Sequence, residues 1–455
     1  MSSHLHRVAV PSGNRTQLRM LDQYLETNGL GGYSCGTLSG IRQWPSQGMV
    51  VVAKKPPIDR YVLMNGFDVT VEFGDEKIPI TTNRYKGDRY EPDARKRLIQ
   101  FETKPWPSWI FDLGHNRAIQ FEIMARHGTN QFVFSWHLEV SNEPAMLRVK
   151  PLLSGRPMNS TRNESKKMDL RPERPSPRQF VWKLRAGAPA LSLLSDGDFF
   201  ERGRWVRDLV YDNHSTEDLA CPGEFRWELG VKQRAQIIAC TAEEMEENPR
   251  TANEVAHLAN KLRNAERTRR KLFRSELDRA ADQYIVEGSD GKTLLSGFPR
   301  GTEMGARAMI AIRGICLSPG RLDVASKVLE TWRGRVATGM LPSEISEHRL
   351  NPTYSSPEPS LWYIIAAYEY FRASYRQGRQ LREDERLEVE ESIHQILGSF
   401  SERRHKEAYA DEDGLLAEAS MTSRRQNEGE VVKRVQVQAL WITALWIGAR
   451  LDKRW

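Results

Sequence analysis

Carboxylate and aromatic side chains gather in the polar connections of one stretch, residues 297–362. Apolar residues recur at helical spacing on both sides of these connections, in 306–315 and in 322–332. Carboxylates can donate or accept a proton in general acid–base chemistry. The pattern therefore predicts loops between helices that line a pocket with acid–base groups. The residues concerned are Glu303, Glu344, Tyr354, Glu358 and Trp362.

The elements that must position these groups are helices. Gly320 and Gly378 separate helical patterns, as glycine commonly does after a helix end. Consecutive helices joined by loops predict an all-α domain built as an α/α toroid. Six segments have the helical pattern: 277–286, 303–316, 322–336, 361–376, 384–400 and 435–451.

The chain before residue 243 has a different pattern. Short β-rich runs fill residues 50–239, and Gly, Pro, Asn and Asp separate them. Residues 132–140 alternate between apolar and polar, which is typical of a half-buried antiparallel strand. Many such runs predict a large β-sandwich. Residues 243–276 are charged, poor in glycine and helical in period, and we interpret them as a linker helix.

Composition excludes several classes of protein. Hydrophobic residues make up 39% and charged residues 28% of the 455 residues, as in ordinary globular proteins. The net charge of +7 is mild and is interpreted as a solvated basic surface, although the Arg-rich run 267–271 leaves nucleic-acid binding as a lesser alternative. Four cysteines stand far apart without a CxxC pair, so no metal site is predicted. No secretory signal and no apolar run long enough to span a membrane is found, so a cytoplasmic protein is expected.

A glycine-rich segment near the start, TNGLGGY at Thr27–Tyr33, invites a nucleotide-binding interpretation. No GK[ST] follows it and no helical pattern opens after the glycines, so tight turns between strands explain it better. Together with KPPIDRYVL at Lys55–Leu63 and the spacing of residues 297–362, this segment resembles the bacterial and archaeal glycogen debranching enzymes of the amylo-α-1,6-glucosidase type.

The resemblance implies a multidomain β plus α chain. Its N-terminal part would be a β-supersandwich over 21–242, after a polar arm at 1–20 and before the linker helix at 243–276. Residues 277–455 would form an all-α, (α/α)6-toroid-like glucosidase domain. A closed toroid needs about twice the predicted number of helices, so we expect this domain to be incomplete.

The resemblance also assigns site residues, several of which carry changed side chains. The family sequence WGRD falls on 304–307, where its acid is replaced by Arg307, while the acid before it is kept as Glu303. The acid of YNTVDATLW becomes Glu358. Two later family acids align with Thr422 and Gln436. The residues implied as catalytic are Glu358 and Glu303, and those implied as substrate-binding are Tyr354, Trp362, Arg307, Gln436 and Gln47.

Glycoside cleavage needs two carboxylates, one to protonate the leaving oxygen and one to activate water or attack the sugar. Arginine and glutamine cannot take over these roles. We therefore expect a debranching-enzyme homologue, for α-1,6 branches of an α-glucan, with weak or lost activity. The alternative is a non-catalytic protein that binds glucan or a partner, since an incomplete toroid leaves apolar helix faces for a second copy or another chain. No cofactor, metal, nucleic acid or membrane is implied.

Each singled-out residue also has a purely structural interpretation. Glu303 can be a favourable acid at a helix N-terminus. Glu358 lies between two prolines and can be a solvated loop charge. Trp362 can belong to the core rather than to a sugar platform. The sequence leaves both interpretations open.

Overall fold

A computed structural model describes residues 20–231, 233–244, 248–347, 351–419 and 431–452. The polar arm predicted over 1–20 lies outside these ranges except for Met20, and so does Thr422.

Strands dominate residues 23–241. In chain order these are β1 Gln23–Thr27, β2 Tyr33–Thr37, β3 Gly48–Lys55, β4 Ile58–Phe73, β5 Glu76–Pro79, β6 Arg84–Tyr85, β7 Arg89–Tyr90, β8 Leu98–Glu102, β9 Ser108–Gly114, β10 Arg117–Ala125, β11 Phe132–Val140, β12 Ala145–Pro157, β13 Glu173–Ser176, β14 Gln179–Trp182, β15 Leu191–Ser195, β16 Asp198–Val210, β17 Thr216–Leu229 and β18 Arg234–Thr241.

These strands pair antiparallel in two sheets. Within the described residues, one sheet has ten strands in the order β1-β2-β3-β4-β12-β17-β16-β6-β7, with β5 beside β4. The other has eight strands in the order β13-β14-β15-β18-β11-β10-β9-β8. The predicted antiparallel β-sandwich is therefore confirmed.

Alternation along β11 explains how the sheets stack. Phe132, Phe134 and Trp136 point into the core between the two sheets. Val133 points to the opposite face, where it packs with Val255 of the following helix. Since successive side chains of a strand face opposite ways, β11 is buried on both faces and belongs to the sandwich centre.

Helices dominate the remainder, which confirms the predicted helical C-terminal part. They are α1 Ala252–Arg270, α2 Glu276–Asp282, α3 Gly305–Ile312, α4 Leu322–Arg333, α5 Glu358–Arg376, α6 Glu383–Ser401 and α7 Val435–Asp452. A π-helical turn, Arg313–Leu317, extends α3. Short strands connect them: β19 Ile285–Gly288, β20 Gly291–Leu294, β21 Glu303–Met304, β22 Glu344–Ile345, β23 Ala408–Ala410, β24 Leu416–Ala419 and β25 Val431–Val432.

Helix α5 lies between α3 and α7, and α4 and α6 pack against this row. Gly305 at the start of α3 lies against Pro359 at the start of α5. Glu358, the first residue of α5, forms an ion pair with Arg434, which directly precedes α7. The N-terminal ends of the three helices therefore lie together at one end of the helical part.

Arg60 of β4 connects the sandwich to the helical part. It is 1% exposed. Its backbone N–H donates to Oε2 of Glu347 at 3.0 Å, and its guanidinium donates to the carbonyls of Pro299 at 3.1 Å and Gly301 at 2.6 Å. The DRY sequence thus supplies a buried cation that binds loops of the helical part.

Among the helices in the described ranges, none has both the length and the apolar composition to cross a membrane.

Candidate functional site

The helical end where α3, α5 and α7 begin holds the first predicted catalytic residue, Glu358. Its backbone N–H donates to Oγ of Ser356 at 3.3 Å. A carboxylate at this position interacts favourably with the positive end of the helix dipole. Its side chain is 21% exposed, so it can contact solvent or a ligand.

Arg434 joins Glu358 to a second carboxylate, Glu418 of β24. The Nη2 atom of Arg434 lies 3.0 Å from Oε1 of Glu358 and 2.6 Å from Oε1 of Glu418. Nε of Arg434 also donates to Oε2 of Glu418 at 2.9 Å. The two carboxylates are thus close neighbours, but a guanidinium lies between them where glycosidases leave space for a sugar or a water molecule.

Sequence reasoning missed Glu418. It lies in a four-residue strand, LAEA, that has no distinct periodicity. The available signal was its position just before residues 420–424, the segment aligned with a family acid. Its contact with Glu358 depends on Arg434, sixteen residues further along the chain, and a pattern within one element cannot indicate that pairing.

Glu303, the second predicted catalytic residue, pairs with a different arginine. It belongs to β21, pairs with β22, and is 2% exposed. Nη1 of Arg335 donates to its Oε1 at 2.7 Å, and Arg335 also pairs with Asp290. Burial raises the pKa of Glu303, and the guanidinium opposes that rise. The carboxylate therefore serves a buried ion pair and is enclosed by protein.

The remaining predicted ligands divide into two groups. Arg307, on the first turn of α3, and Gln436, on the first turn of α7, are exposed. Trp362, on the first turns of α5, is half-buried, and its Nε1 is buried without a hydrogen-bond partner in the protein. These three lie on the same ends of neighbouring helices as Glu358. Tyr354 instead donates its hydroxyl to the Arg335 carbonyl at 3.1 Å.

Gln47 lies in the sandwich, in the connection between β2 and β3, and is 1% exposed. Its Oε1 accepts hydrogen bonds from the backbone N–H of Gln43 at 2.7 Å and of Trp44 at 3.4 Å. The side chain therefore closes a turn of its own loop. Its contact with a substrate stays a prediction.

The group at the helix ends can bind hydroxyl groups. Arg307 supplies donors, Glu358 acceptors and Gln436 both. Trp362 adds an apolar ring surface, on which the C–H face of a sugar can pack. Glycoside cleavage needs one carboxylate to protonate the leaving oxygen and another to activate water or attack the sugar. It would therefore require a second carboxylate that is free to reach the scissile bond.

The solved structures that resemble this chain share little sequence with it. None of the curated proteins is a significant match. Among solved structures, a bacterial glucoamylase in complex with acarbose shares 11% identity at a TM-score of 0.49, over 86% of this chain and 59% of the glucoamylase chain. A family GH92 inverting mannosidase from Bacteroides thetaiotaomicron shares 12% identity at a TM-score of 0.32, over 82% of this chain and 50% of the mannosidase.

Two family models match the sequence in consecutive order. The model for the N-terminal domain of glycogen debranching enzyme matches residues 23–236, and the model for amylo-alpha-1,6-glucosidase matches residues 279–454. The first range coincides with the β-sandwich and the second with the helical part. The chain therefore belongs to the glycogen debranching enzyme family and carries its N-terminal and amylo-α-1,6-glucosidase domains.

Proposed function

We propose that this protein binds an α-glucan at the end of the helical part where α3, α5 and α7 begin, and that it hydrolyses α-1,6 branches slowly or not at all. Membership of a glucan-active hydrolase family supports the substrate class. We place the protein in the cytoplasm because all four cysteines are unpaired thiols, as is usual in a reducing compartment.

The choice of residues at the helix ends supports glucan binding. Glu358, Arg307 and Gln436 offer acceptors and donors that match sugar hydroxyls, and Trp362 offers an apolar ring. Sugars are bound by such mixtures of polar and aromatic groups. A ligand there would contact three helices that pack against one another, so the groups are held on a rigid base.

One observation carries the proposal of weak hydrolysis: the acids available for catalysis are bound to arginines. Glu303 is buried against Arg335, and both oxygens of Glu418 accept hydrogen bonds from Arg434. Arg307 stands where the family has an acid. Only Glu358 combines a carboxylate with partial exposure among the predicted catalytic residues. Losing one of two cooperating groups removes most of an enzyme's rate enhancement.

The test combines glycogen co-sedimentation with glucose release from a limit dextrin. The wild-type protein is expected to bind glycogen and to release glucose far below about 1 s⁻¹, the low end of ordinary enzyme rates. Glu358→Gln should weaken glycogen binding about three- to tenfold, because a charged acceptor becomes a neutral amide.

Glu402→Gln is the matched control, because Glu402 is an exposed glutamate that follows α6 and pairs with Arg404. It should bind glycogen as the wild type does. Rapid glucose release by the wild type, abolished by Glu358→Gln, would refute the proposal of weak activity. Failure of the wild type to bind glycogen would refute the proposed ligand.

Exposed apolar residues on α7 favour a second function, self-association. Ile442 is 60% exposed, Leu445 40% and Trp446 51%. Because α7 lies at the end of the helical row, we propose that this face pairs with a second copy of the chain and covers an incomplete (α/α)6 toroid. A two-fold dimer uses the same patch on both subunits, so one apolar stripe is sufficient.

A further inference from the structure

Arg434 brings two carboxylates at the helix ends to a spacing that glycoside cleavage can use. Its Nη2 atom lies 3.0 Å from Oε1 of Glu358 and 2.6 Å from Oε1 of Glu418. These two oxygens can therefore be no further apart than the two distances added together, 5.6 Å. Glycosidases hold their two carboxyl groups about 5–9.5 Å apart. Glu358 and Glu418 are thus close enough to flank a single glycosidic bond.

The three residues come from three different elements. Glu358 is the first residue of α5, Glu418 lies in β24, and Arg434 directly precedes α7. The side chain of Gln438, on the first turn of α7, donates to the Leu416 carbonyl at 2.7 Å and accepts from the Leu416 N–H at 2.8 Å. These bonds hold β24 against α7 in addition to Arg434. We therefore expect Glu418 to stay at the helix ends when Arg434 is replaced.

Arg434 is accessible, whereas the carboxylate it binds most closely is covered. The side chain of Arg434 is 49% exposed and that of Glu418 is 6% exposed. Nη2 and Nε of Arg434 donate to Oε1 and Oε2 of Glu418 at 2.6 Å and 2.9 Å, so both carboxylate oxygens are engaged. A half-exposed side chain can be shortened without leaving a cavity in the core. Replacing Arg434 would therefore free the oxygens of Glu418.

The guanidinium cannot take part in the acid–base chemistry itself. It does not lose a proton in proteins, and it has no acceptor. It lies between the two carboxylates, where the oxygen of a glycosidic bond would have to receive its proton. While Arg434 is in place, Glu418 cannot contact a sugar or a water molecule there.

We propose that Glu358 and Glu418 form a complete acid–base pair and that Arg434 keeps this pair inactive. The inference rests on the function proposed above, because it requires an α-1,6-linked glucoside at the helix ends. Without Arg434, one carboxyl group gives its proton to the branch oxygen O6 as the bond from C1 to O6 breaks. The other carboxylate takes a proton from the water that attacks C1. The products are free glucose and the debranched glucan, and proton exchange with solvent restores both carboxyl groups.

Arg434→Met tests the proposal, since methionine is also unbranched but has no charge and no N–H group. Glucose release is measured with isomaltose, an α-1,6-linked disaccharide, and with a limit dextrin. The kcat/KM of the variant should exceed that of the wild type about 100-fold or more, the usual contribution of positioned acid–base groups. The gained activity should depend on pH in a bell shape, because one carboxyl group must be protonated and the other ionised. Loss of a purely structural ion pair would produce neither effect.

Lys433→Met is the matched control. Lys433 is the neighbouring residue and also joins two carboxylates, since its Nζ lies 2.8 Å from Oδ2 of Asp411 and 2.7 Å from Oδ2 of Asp413. Its kcat/KM should stay within about twofold of the wild type, because surface ion pairs contribute little. Equal gains in both variants would overturn the inference, since removal of any nearby cation would then be sufficient.

A double variant tests the role of Glu418. Adding Glu418→Gln to Arg434→Met should return kcat/KM to within about threefold of the wild type, because an amide cannot replace a carboxyl group in proton transfer. A gain that survives Glu418→Gln would overturn the inference. If Arg434→Met does not fold, Arg434→Gln takes its place in the same assays, since glutamine keeps a donor but carries no charge.

Glycogen co-sedimentation separates this inference from the proposed function. Binding by the wild type and by Arg434→Met, without a gain in glucose release, would overturn the inference and leave the proposed ligand standing. If neither protein binds glycogen, the proposed ligand is refuted, and the rate with isomaltose still decides whether the pair is active. Rapid glucose release by the wild type would overturn both, because Arg434 would then not inhibit.

Discussion

At the scale of single residues, carboxylates in this protein behave according to what surrounds them. Asp196 lies in the turn between β15 and β16, where its Oδ1 accepts from Nε1 of Trp227 at 2.6 Å and from the Gln236 N–H at 2.8 Å. Burial nevertheless raises the pKa of Asp196 to about 6, with hydrogen bonds opposing the rise. The protonated form is therefore favoured in the folded chain more than in the unfolded chain.

This pKa predicts how stability depends on pH. Because the folded pKa lies above the unfolded value, Asp196 contributes stability that is complete below about pH 4 and is lost as the pH rises through about 6. The loss should be about 1–3 kcal/mol. Asp196→Asn should therefore gain stability relative to the wild type by about that amount between pH 4 and pH 8, as measured by chemical unfolding at each pH.

Asp198→Asn is the control, since Asp198 is 74% exposed and lies two residues further along the chain, at the start of β16. Its stability relative to the wild type should vary with pH by less than about 0.5 kcal/mol. A constant difference between Asp196→Asn and the wild type over the whole range would contradict the raised pKa.

Residue chemistry was predictable from the sequence only in part. The helix predicted over 361–376 forms, but α5 begins three residues earlier, at Glu358, which the sequence left in the loop before it. The burial of Glu303 does not follow from the sequence either, because it depends on Arg335 and Asp290 from other segments. Glu418 likewise gains its place through Arg434. Ion pairs between distant segments leave no periodic signal.

At the scale of elements, close packing of helix starts determines the geometry of the candidate site. A Cβ atom at Gly305 would lie 2.3 Å from the Pro342 carbonyl oxygen and 2.8 Å from Cβ of Pro359. Only glycine therefore lets α3 begin so close to α5. The separation of Arg307 from Glu358 depends on this contact.

Gly305→Ala should destabilise the protein by about 2 kcal/mol or more, because backbone and proline atoms must move to admit the methyl group. Thermal and urea unfolding of the full chain measures the change. Gly314→Ala is the matched control: Gly314 lies in the π-helical turn after α3 with open space around its Cβ position. It should be neutral or stabilising by up to about 1 kcal/mol. Equal effects of both variants would show that the contact with α5 is unimportant.

Helices were predictable from the sequence where apolar residues recur at helical spacing over a long segment. The apolar spacing of residues 322–336 and 435–451 predicts helices that overlap α4 and α7 closely. Residues 303–316 were predicted as one helix, but α3 begins at Gly305 because Glu303–Met304 pair with Glu344–Ile345 as β21 and β22. Pairing across some forty residues competes with local helix formation, and the sequence around Glu303 gives no sign of it.

At the scale of the whole molecule, α7 carries exposed apolar side chains at the end of the helical part. Ile442 and Trp446 lie one turn apart on α7, and both are more than half exposed. Trp446 contacts Tyr368 of α5 edge-on at a ring separation of 5.8 Å, and the guanidinium of Arg450 lies 5.0 Å from its ring centroid. Burying such a face against a second copy would remove its apolar surface from water.

Trp446→Glu should convert a dimer of the wild type into a monomer, because a carboxylate on each subunit would face the same buried patch. Sedimentation velocity over a range of concentrations measures the state. Leu277→Glu provides the comparison, since Leu277 of α2 is 81% exposed and lies on another element. It should leave the dimer intact. A monomeric wild type would rule out self-association through α7.

The buried contacts of Arg60 with Glu347 and with the carbonyls of 299 and 301 have a consequence for inheritance. A recombination event that joined this sandwich to the helical part of a relative lacking Glu347 would enclose a cation without its counter-charge. Such a defect costs about 3–5 kcal/mol, a large share of the stability of a typical protein. Viable chimeras must therefore acquire both members of the pair, so the two domains are expected to be exchanged together.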